Sequence, residues 1–273
     1  MTWTAEDVAK YVGRCPVCGE PWTVEDVDAE MLNTSHWMQR RTGSGLRDKI
    51  AHDACAAKAT EAARMEEEME LRQQRRRDLD ASGAWPRWAQ QCRFEGSDPA
   101  IEAENKARKE AYRQARQWRP GAENLWISSA AAGNGKTYLA CCLANVAFDA
   151  GIDPMFLSAA NVEHLAKGYD SGEKLERPSR AGILVLDDVD KADSDRAPAA
   201  LFAILDSRNN RGLNTIVTAN CSAKELVDSW MTRGGHMRKA IDRMSWPNYT
   251  CRALKLTGKS LRTRGGNRQM EMG

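Results

Sequence analysis

The sequence predicts an α/β chain: a parallel sheet carrying a phosphate-binding loop, preceded by a small zinc-binding module and a helical linker. Three observations lead there. A glycine-rich turn with a Lys-Thr pair, SSAAAGNGKTYLA from Ser128 to Ala140, lies between a strand signal at Leu125, Trp126 and Ile127 and an apolar helical run from Tyr138 to Phe148. A continuous apolar run that ends in two carboxylates, ILVLDD from Ile183 to Asp188, reads as a fully buried parallel strand. Near the start of the chain, Cys15-Pro-Val-Cys18 and His52-Asp-Ala-Cys55 repeat one pair spacing.

In chain order, residues 1–58 form the first expected unit. Cys15, Cys18, His52 and Cys55 are four soft ligands suited to tetrahedral zinc, and each pair can bind from a tight turn or the first turn of a helix. Gly19 permits the sharp turn after the first pair, and His36 is the substitute if His52 is not a ligand. A redox pair or ordinary buried cysteines are the alternatives. Four protein ligands leave no open position, so the metal would be structural. A module this small, with few large apolar side chains, needs such a staple.

Of the eight cysteines, Cys92, Cys141, Cys142, Cys221 and Cys251 show no pair spacing, and Cys141 and Cys142 are expected to pack as small apolar residues. No signal peptide opens the chain and no apolar run approaches the about 18 residues of a membrane span. The expectation is a cytoplasmic protein with reduced thiols and no membrane partner.

Residues 59–82 are the expected linker. The stretch 56–80 is rich in Ala, Glu and Arg and reads as a solvated helix. The Arg75, Arg76, Arg77 run fits either phosphate contact or a solvated face, with Glu66 to Glu70 balancing its charge. In GAWPRWAQQCRF, Gly83 to Phe94, Trp85 and Trp88 are core candidates, and a polar helical stretch from Ala100 to Trp118 leads into the first strand.

Residues 83–262 form the main domain. In a loop of the Ser128–Ala140 kind, backbone N–H groups point at phosphates, Lys136 reaches the β- and γ-phosphates, and the Thr137 hydroxyl ligates Mg²⁺. The nucleotide-contacting set is Ala132, Gly133, Asn134, Gly135, Lys136, Thr137 and Tyr138, with Asp187. Ala130 stands where the pattern G-x-x-x-x-G-K-[ST] has its first glycine, and a small residue holds that turn if its φ is negative. A chance Gly-Lys-Thr in a surface loop is the bland alternative. Ligands of open α/β sheets bind at the carboxyl ends of strands, so Asp187 would hold Mg²⁺ through water and Asp188 would orient and deprotonate an attacking water. Thr215 to Thr218 reads as a third buried strand, after which Asn220 would position the lytic water or serve only as a turn residue.

The balance of 40 basic against 38 acidic residues, net +2, excludes a whole-protein field for nucleic acid. Contact with single-stranded DNA would be local, for example through KLTGKSLRTRGGNR from Lys255 to Arg268, which could equally be a solvated tail; residues 263–273 are expected to be flexible and basic.

From about residue 84 to 262 the chain resembles the AAA+ ATPases of the DnaC/IstB type, the bacterial and phage replicative helicase loaders and their transposition-helper relatives. GNGKTYLA, PMFLSAANVEHLAKG, ILVLDDVDKA, LFAILDSRNNRGLNTIVTANCSAKEL, MRKAIDRM and ALKLTGKSLR follow one another in the family's order. The resemblance implies a P-loop AAA+ core that hydrolyses ATP, a replicative DNA helicase bound through the N-terminal module, single-stranded DNA as a further partner, and a homo-oligomer in the ATP state. MRKAIDRM looks like the segment that carries the family's arginine finger, with Arg243 the first choice and Arg238 the second; a solvated basic helix face is the alternative. Arg208 is a further subunit-interface candidate. The segment Gly83 to Phe94 resembles the one that packs by the adenine. A transposition-helper ATPase, or a nucleotide-gated adaptor with little turnover, which Ala130 would permit, are the rival readings; a small-molecule kinase would leave Asn220 and Arg243 without a role.

Overall fold

The computed structural model describes residues 4–27, 34, 51–97, 99–165, 171–192, 197–230, 251–258 and 260–261. The chain divides into two compact units, Met1–Arg75 and Arg76–Gly273.

In the first unit, helix α1 (Ala5–Tyr11) opens on a capping box in which Thr4 and Asp7 satisfy each other's backbone N–H groups. Val8 on the helix and Val12 just after it are buried. Gly13, in the left-handed region at φ 78°, then turns the chain into a short antiparallel bridge between Arg14 and Pro21. Helix α2 (Asp53–Ser82) contains the whole predicted linker and is exposed along most of its length. Its surface carries pairs such as Arg64 with Glu61 at 2.7 Å and Glu68 at 3.8 Å, each worth a few tenths of a kcal/mol. The division between the units falls inside α2. Of the arginine run, Arg76 lies in the second unit with its guanidinium 5.2 Å from the centre of the Phe148 ring, so it serves packing.

The second unit is built on a five-stranded parallel sheet: β1 (Asn124–Ser128), β2 (Pro154–Ser158), β3 (Ile183–Asp187), β4 (Thr215–Ala219) and β5 (Cys251–Lys255), in the spatial order β2-β3-β4-β1-β5. The helices preceding and connecting these strands are α3 (Lys106–Gln117), α4 (Lys136–Asp149), α5 (Ala159–Leu165), α6 (Ser171–Arg180), α7 (Ala197–Arg211) and α8 (Ala223–Trp230). β3 and β4 are buried along their whole length, because apolar layers cover both faces. On one face Leu125, Ile127, Val185 and Ile216 pack with Leu139, Leu143 and Phe148 of α4; Cys141 and Cys142 sit in this layer as expected. On the other, Trp126, Leu184, Leu186 and Val217 pack with Leu201, Ile204 and Leu205 of α7.

The polar stretch from Ala100 to Trp118 is not one helix. A single turn, Pro99–Glu102, ends before α3, because Asn105 adopts an extended conformation and caps α3 by accepting from the Arg108 N–H at 2.9 Å. Upstream, Asn145 of α4 clasps the lead-in segment: its Nδ2 donates to the carbonyls of Ala89 at 2.7 Å and Cys92 at 2.8 Å, and its Oδ1 accepts from Trp85 Nε1 at 3.2 Å. Trp85 is therefore core, whereas Trp88 is half exposed and meets Phe156 edge-on.

Arg208 does not offer a subunit contact. Its guanidinium is wholly buried and donates to Thr215 Oγ1 at 2.9 Å, Pro178 O at 2.9 Å, Ala181 O at 2.6 Å and Asn214 O. It ties the end of α6 to the start of β4, and burial brings its pKa down to about 9.

Candidate functional site

The cleft lies at the carboxyl ends of β1, β3 and β4, the edge where open α/β sheets take ligands. Its volume is about 210 Å³, and Ala132, Gly133, Asn134, Gly135, Lys136, Thr137, Asp188, Lys191, Asn220 and Leu261 line it. Gly133 at φ 78° and Gly135 at φ 83° supply the left-handed turns that fold the loop back onto α4. Gly135 caps α4 with no side-chain bond, so the first backbone N–H groups of the helix face the cleft with their partial positive charge. Ala130 is not among the positive-φ residues, so the missing first glycine costs no backbone strain. Beneath the loop, the buried Asn134 Nδ2 donates to Ser129 Oγ at 2.7 Å and to Gly258 O at 3.2 Å, while Leu261 N donates to Gly133 O at 2.9 Å. The segment after β5 thus braces the loop from below.

The charged groups meet on this floor. Lys136 Nζ donates to Asn220 Oδ1 at 2.8 Å, and Thr137 Oγ1 donates to Asp187 Oδ1 at 2.8 Å. Thr218 Oγ1 donates to the same Asp187 oxygen at 2.7 Å and accepts from the Asp188 N–H at 2.9 Å. Burial pushes the Asp187 carboxyl above its usual range, against the two hydroxyl donors that favour its charged form. Burial likewise brings Lys136 below an ordinary lysine, against the pull of Asp188 and Asp190. Asp188, at φ 53°, is the one non-glycine residue with positive φ among the described residues. Its carboxylate pairs with Lys191, which raises the lysine's pKa.

Lys136, Thr137, Asp187, Asp188 and Asn220 are therefore gathered at one sheet edge. Tyr138 is not on the cleft wall: its hydroxyl donates to Arg93 O at 2.6 Å, and burial raises its pKa to about 12. Sequence reading missed Thr218, Lys191, Asp190 and Leu261. Only Thr218 had a signal, as a hydroxyl on the buried strand that ends at Asn220. Arg238 and Arg243, with His36 and residues 263–273, lie outside the described residues.

In the first unit, one ligand atom from each of Cys15, Cys18, His52 and Cys55 lies within 4.8 Å of the others, with Cys18 Sγ and His52 Nδ1 3.6 Å apart. Ligands on zinc with bonds of about 2.3 Å stand about 3.7 Å apart, so this donor set suits a tetrahedral ion. The left-handed Gly19 (φ 76°) donates its N–H to Cys15 O at 2.9 Å and closes the knuckle; the Trp22 ring lies 4.2 Å from the His52 ring, tilted 45° to it. Burial raises the Cys15 thiol, but backbone N–H groups of Cys18, His52 and Val17 outweigh it and bring the pKa down to about 6, toward the ligating thiolate.

One family model, that of the IstB-like ATP-binding proteins, matches residues 50–269. The chain belongs to this family. In this IstB-like protein, the cleft sits in a P-loop AAA+ core of a family that binds ATP. Among solved structures, the chain is similar to DnaI (TM-score 0.50, 21% identity over 64% of this chain and 93% of that one). It is similar also to a candidate primosome component from Streptococcus pyogenes serotype M3 (TM-score 0.50, 21% identity, 65% and 92%). The DnaC helicase loader aligns at TM-score 0.47 and 19% identity, over 63% and 100%. The likenesses to DnaI and to the Streptococcus pyogenes protein establish the fold. No curated protein matches the chain. Among the described residues, no helix is long and apolar enough to cross a membrane.

Proposed function

We propose that this IstB-like protein is an ATP-hydrolysing helicase loader, which delivers a replicative ring helicase onto single-stranded DNA. The observation that carries the motor half of this reading is the convergence of Lys136, Thr137, Asp188 and Asn220 in one cleft under the N-terminus of α4, with the buried Asp187 bonded to Thr137 behind it.

In this reading the loop N–H groups and Lys136 hold the phosphates of ATP, and the Thr137 hydroxyl and Asp187 hold Mg²⁺, which neutralises phosphate charge when bound. Their contact at 2.8 Å brings two hard oxygen donors together, the donor chemistry that Mg²⁺ takes. Asp188 accepts the proton of the attacking water, and Asn220 fixes that water's orientation. For this, Asp188 must exchange its Lys191 partner for the water, and Lys191, on the cleft wall, is left facing the phosphates. Arg243, or Arg238, reaches the site of a neighbouring subunit, so a homo-oligomer is the hydrolysing form. The Cys15, Cys18, His52, Cys55 cluster holds a structural zinc ion, and the module it staples docks the helicase. The fold shared with DnaI and with the Streptococcus pyogenes primosome component supports a replication role.

The test is a pull-down of the full-length protein with ATP and with ADP against the host's or phage's replicative helicase. Retention that depends on nucleotide and is lost in Cys15→Ser/Cys18→Ser supports the loader. Absence of binding in both states favours the second reading, a transposition-helper ATPase, for which the family match speaks.

A further inference from the structure

Asp190 holds Asn220 at two points. Asp190 Oδ1 accepts the Asn220 backbone N–H at 2.9 Å, and Oδ2 accepts from Asn220 Nδ2 at 2.8 Å. The other end of the same amide, Oδ1, accepts from Lys136 Nζ at 2.8 Å. A carboxamide has two ends of nearly equal shape and opposite hydrogen-bonding sense, whereas a carboxylate only accepts and an ammonium only donates. With Asp190 on one side and Lys136 on the other, a single orientation of Asn220 satisfies both neighbours.

The backbone explains how a residue beyond the paired aspartates reaches Asn220. Asp188 in the left-handed region turns the chain out of β3 into the 3₁₀ turn Val189–Lys191, and the buried Val189 anchors that turn. Asp190 is thereby brought beside the first residue after β4, and the two strand ends are joined by side chain as well as by sheet pairing.

We propose that Asp190 is a positioning residue for ATP hydrolysis: by accepting from both donors of Asn220 it fixes the orientation of that amide, and so what Asn220 presents to Lys136 and to the terminal phosphate. The inference rests on reading the cleft as an ATPase site. Asp190 touches no reacting atom and acts through Asn220.

Asp190→Asn is nearly isosteric, but it replaces one acceptor by an NH₂ group. Donor then opposes donor at one of the two contacts, and Asn220 turns over to present its own NH₂ end to Lys136. The expected result is a fall in kcat of tenfold or more, an ADP affinity within twofold of wild type, and an unchanged melting temperature. The reciprocal double variant Asp190→Asn/Asn220→Asp restores an acceptor facing Lys136 and a donor facing its partner, and recovers at least threefold of the lost kcat. A merely structural aspartate would give no such rescue.

The measurements are steady-state ATP hydrolysis, fluorescent ATP and ADP titrations and thermal melts on the full-length proteins. Wild-type turnover in Asp190→Asn, or a loss that tracks a lowered melting temperature and is not rescued, overturns the positioning role while leaving the ATPase reading intact. A wild-type protein that binds neither nucleotide overturns the ATPase reading and the inference together.

Discussion

Thr218 Oγ1 donates to Asp187 Oδ1 at 2.7 Å, from inside the sheet, and the same hydroxyl accepts the Asp188 N–H at 2.9 Å. One buried hydroxyl thus serves both acidic residues at the end of β3. Thr218→Val keeps the shape, removes a donor from Asp187 and orphans the Asp188 N–H. Destabilisation of about 1–3 kcal/mol is expected, together with a weaker response of nucleotide binding to Mg²⁺. Chemical denaturation and an Mg²⁺ titration of ATP binding check both.

Asp187 gives a stability prediction of opposite sign. Its folded pKa lies above the unfolded value near 3.8, so the folded state holds the extra proton in the window just above 3.8, and this group's contribution to stability falls as pH rises through that window. Asp187→Asn keeps an acceptor for the Thr137 and Thr218 hydroxyls without burying charge. The nucleotide-free variant should melt higher than wild type at pH 7, by about 2–4 °C for each kcal/mol relieved, and should lack this pH dependence. Mg²⁺-dependent nucleotide binding should be lost at the same time.

Lys136→Ala removes the buried cation of the loop floor and leaves Asn220 Oδ1 without its donor. Nucleotide affinity should fall roughly tenfold to a hundredfold, the scale of a hydrogen bond to a charged group, and hydrolysis should be lost. Unchanged affinity and turnover would contradict the assignment of the cleft. In wild type, ATP affinity should weaken at alkaline pH before the ordinary lysine value of 10.5 is reached, since burial lowers the Lys136 pKa.

The cysteine and histidine cluster predicts one zinc ion per chain by elemental analysis, released by a strong chelator or by Cys15→Ser/Cys18→Ser. Metal loss should abolish amide-exchange protection around Cys15 to Trp22 while the sheet keeps its own, because the cluster's four ligands all come from the first unit. Protection that persists without metal would refute the structural role.

Arg208→Met should cost about 2–4 kcal/mol in unfolding free energy, because the carbonyls of Pro178, Ala181 and Asn214 lose a shared donor in the interior. Oligomer formation measured at a temperature where the variant is folded should be unchanged.

The strands and the phosphate loop were legible because their signals are local. Apolar layers on both faces force β3 to be an unbroken apolar run, and only Gly133 and Gly135 suit the two left-handed turns ahead of Lys136. Asp190 and Lys191 were not legible, since two charged residues after a strand look like a solvated turn. Their meaning depends on the left-handed Asp188, which no pattern announces. Arg208 misled for a related reason: a basic residue near a helix end reads as surface, and four oxygens gathered from the end of α6 and the start of β4 receive it in the interior instead. The break at Asn105 was hidden because capping competes with helix propensity at a single residue.

Because Asn145 grips the carbonyls of Ala89 and Cys92 and the indole of Trp85, the stretch ahead of β1 travels as cargo with the phosphate-loop helix. Chimeras that exchange front ends between members of this family therefore have their seam upstream of Trp85. A crossover placed between Cys92 and β1 would mate Asn145 with a foreign segment and strand its amide in the interior. The portable unit is longer at its leading end than its sheet, and swapped front ends should be tolerated only when that clasp is inherited whole.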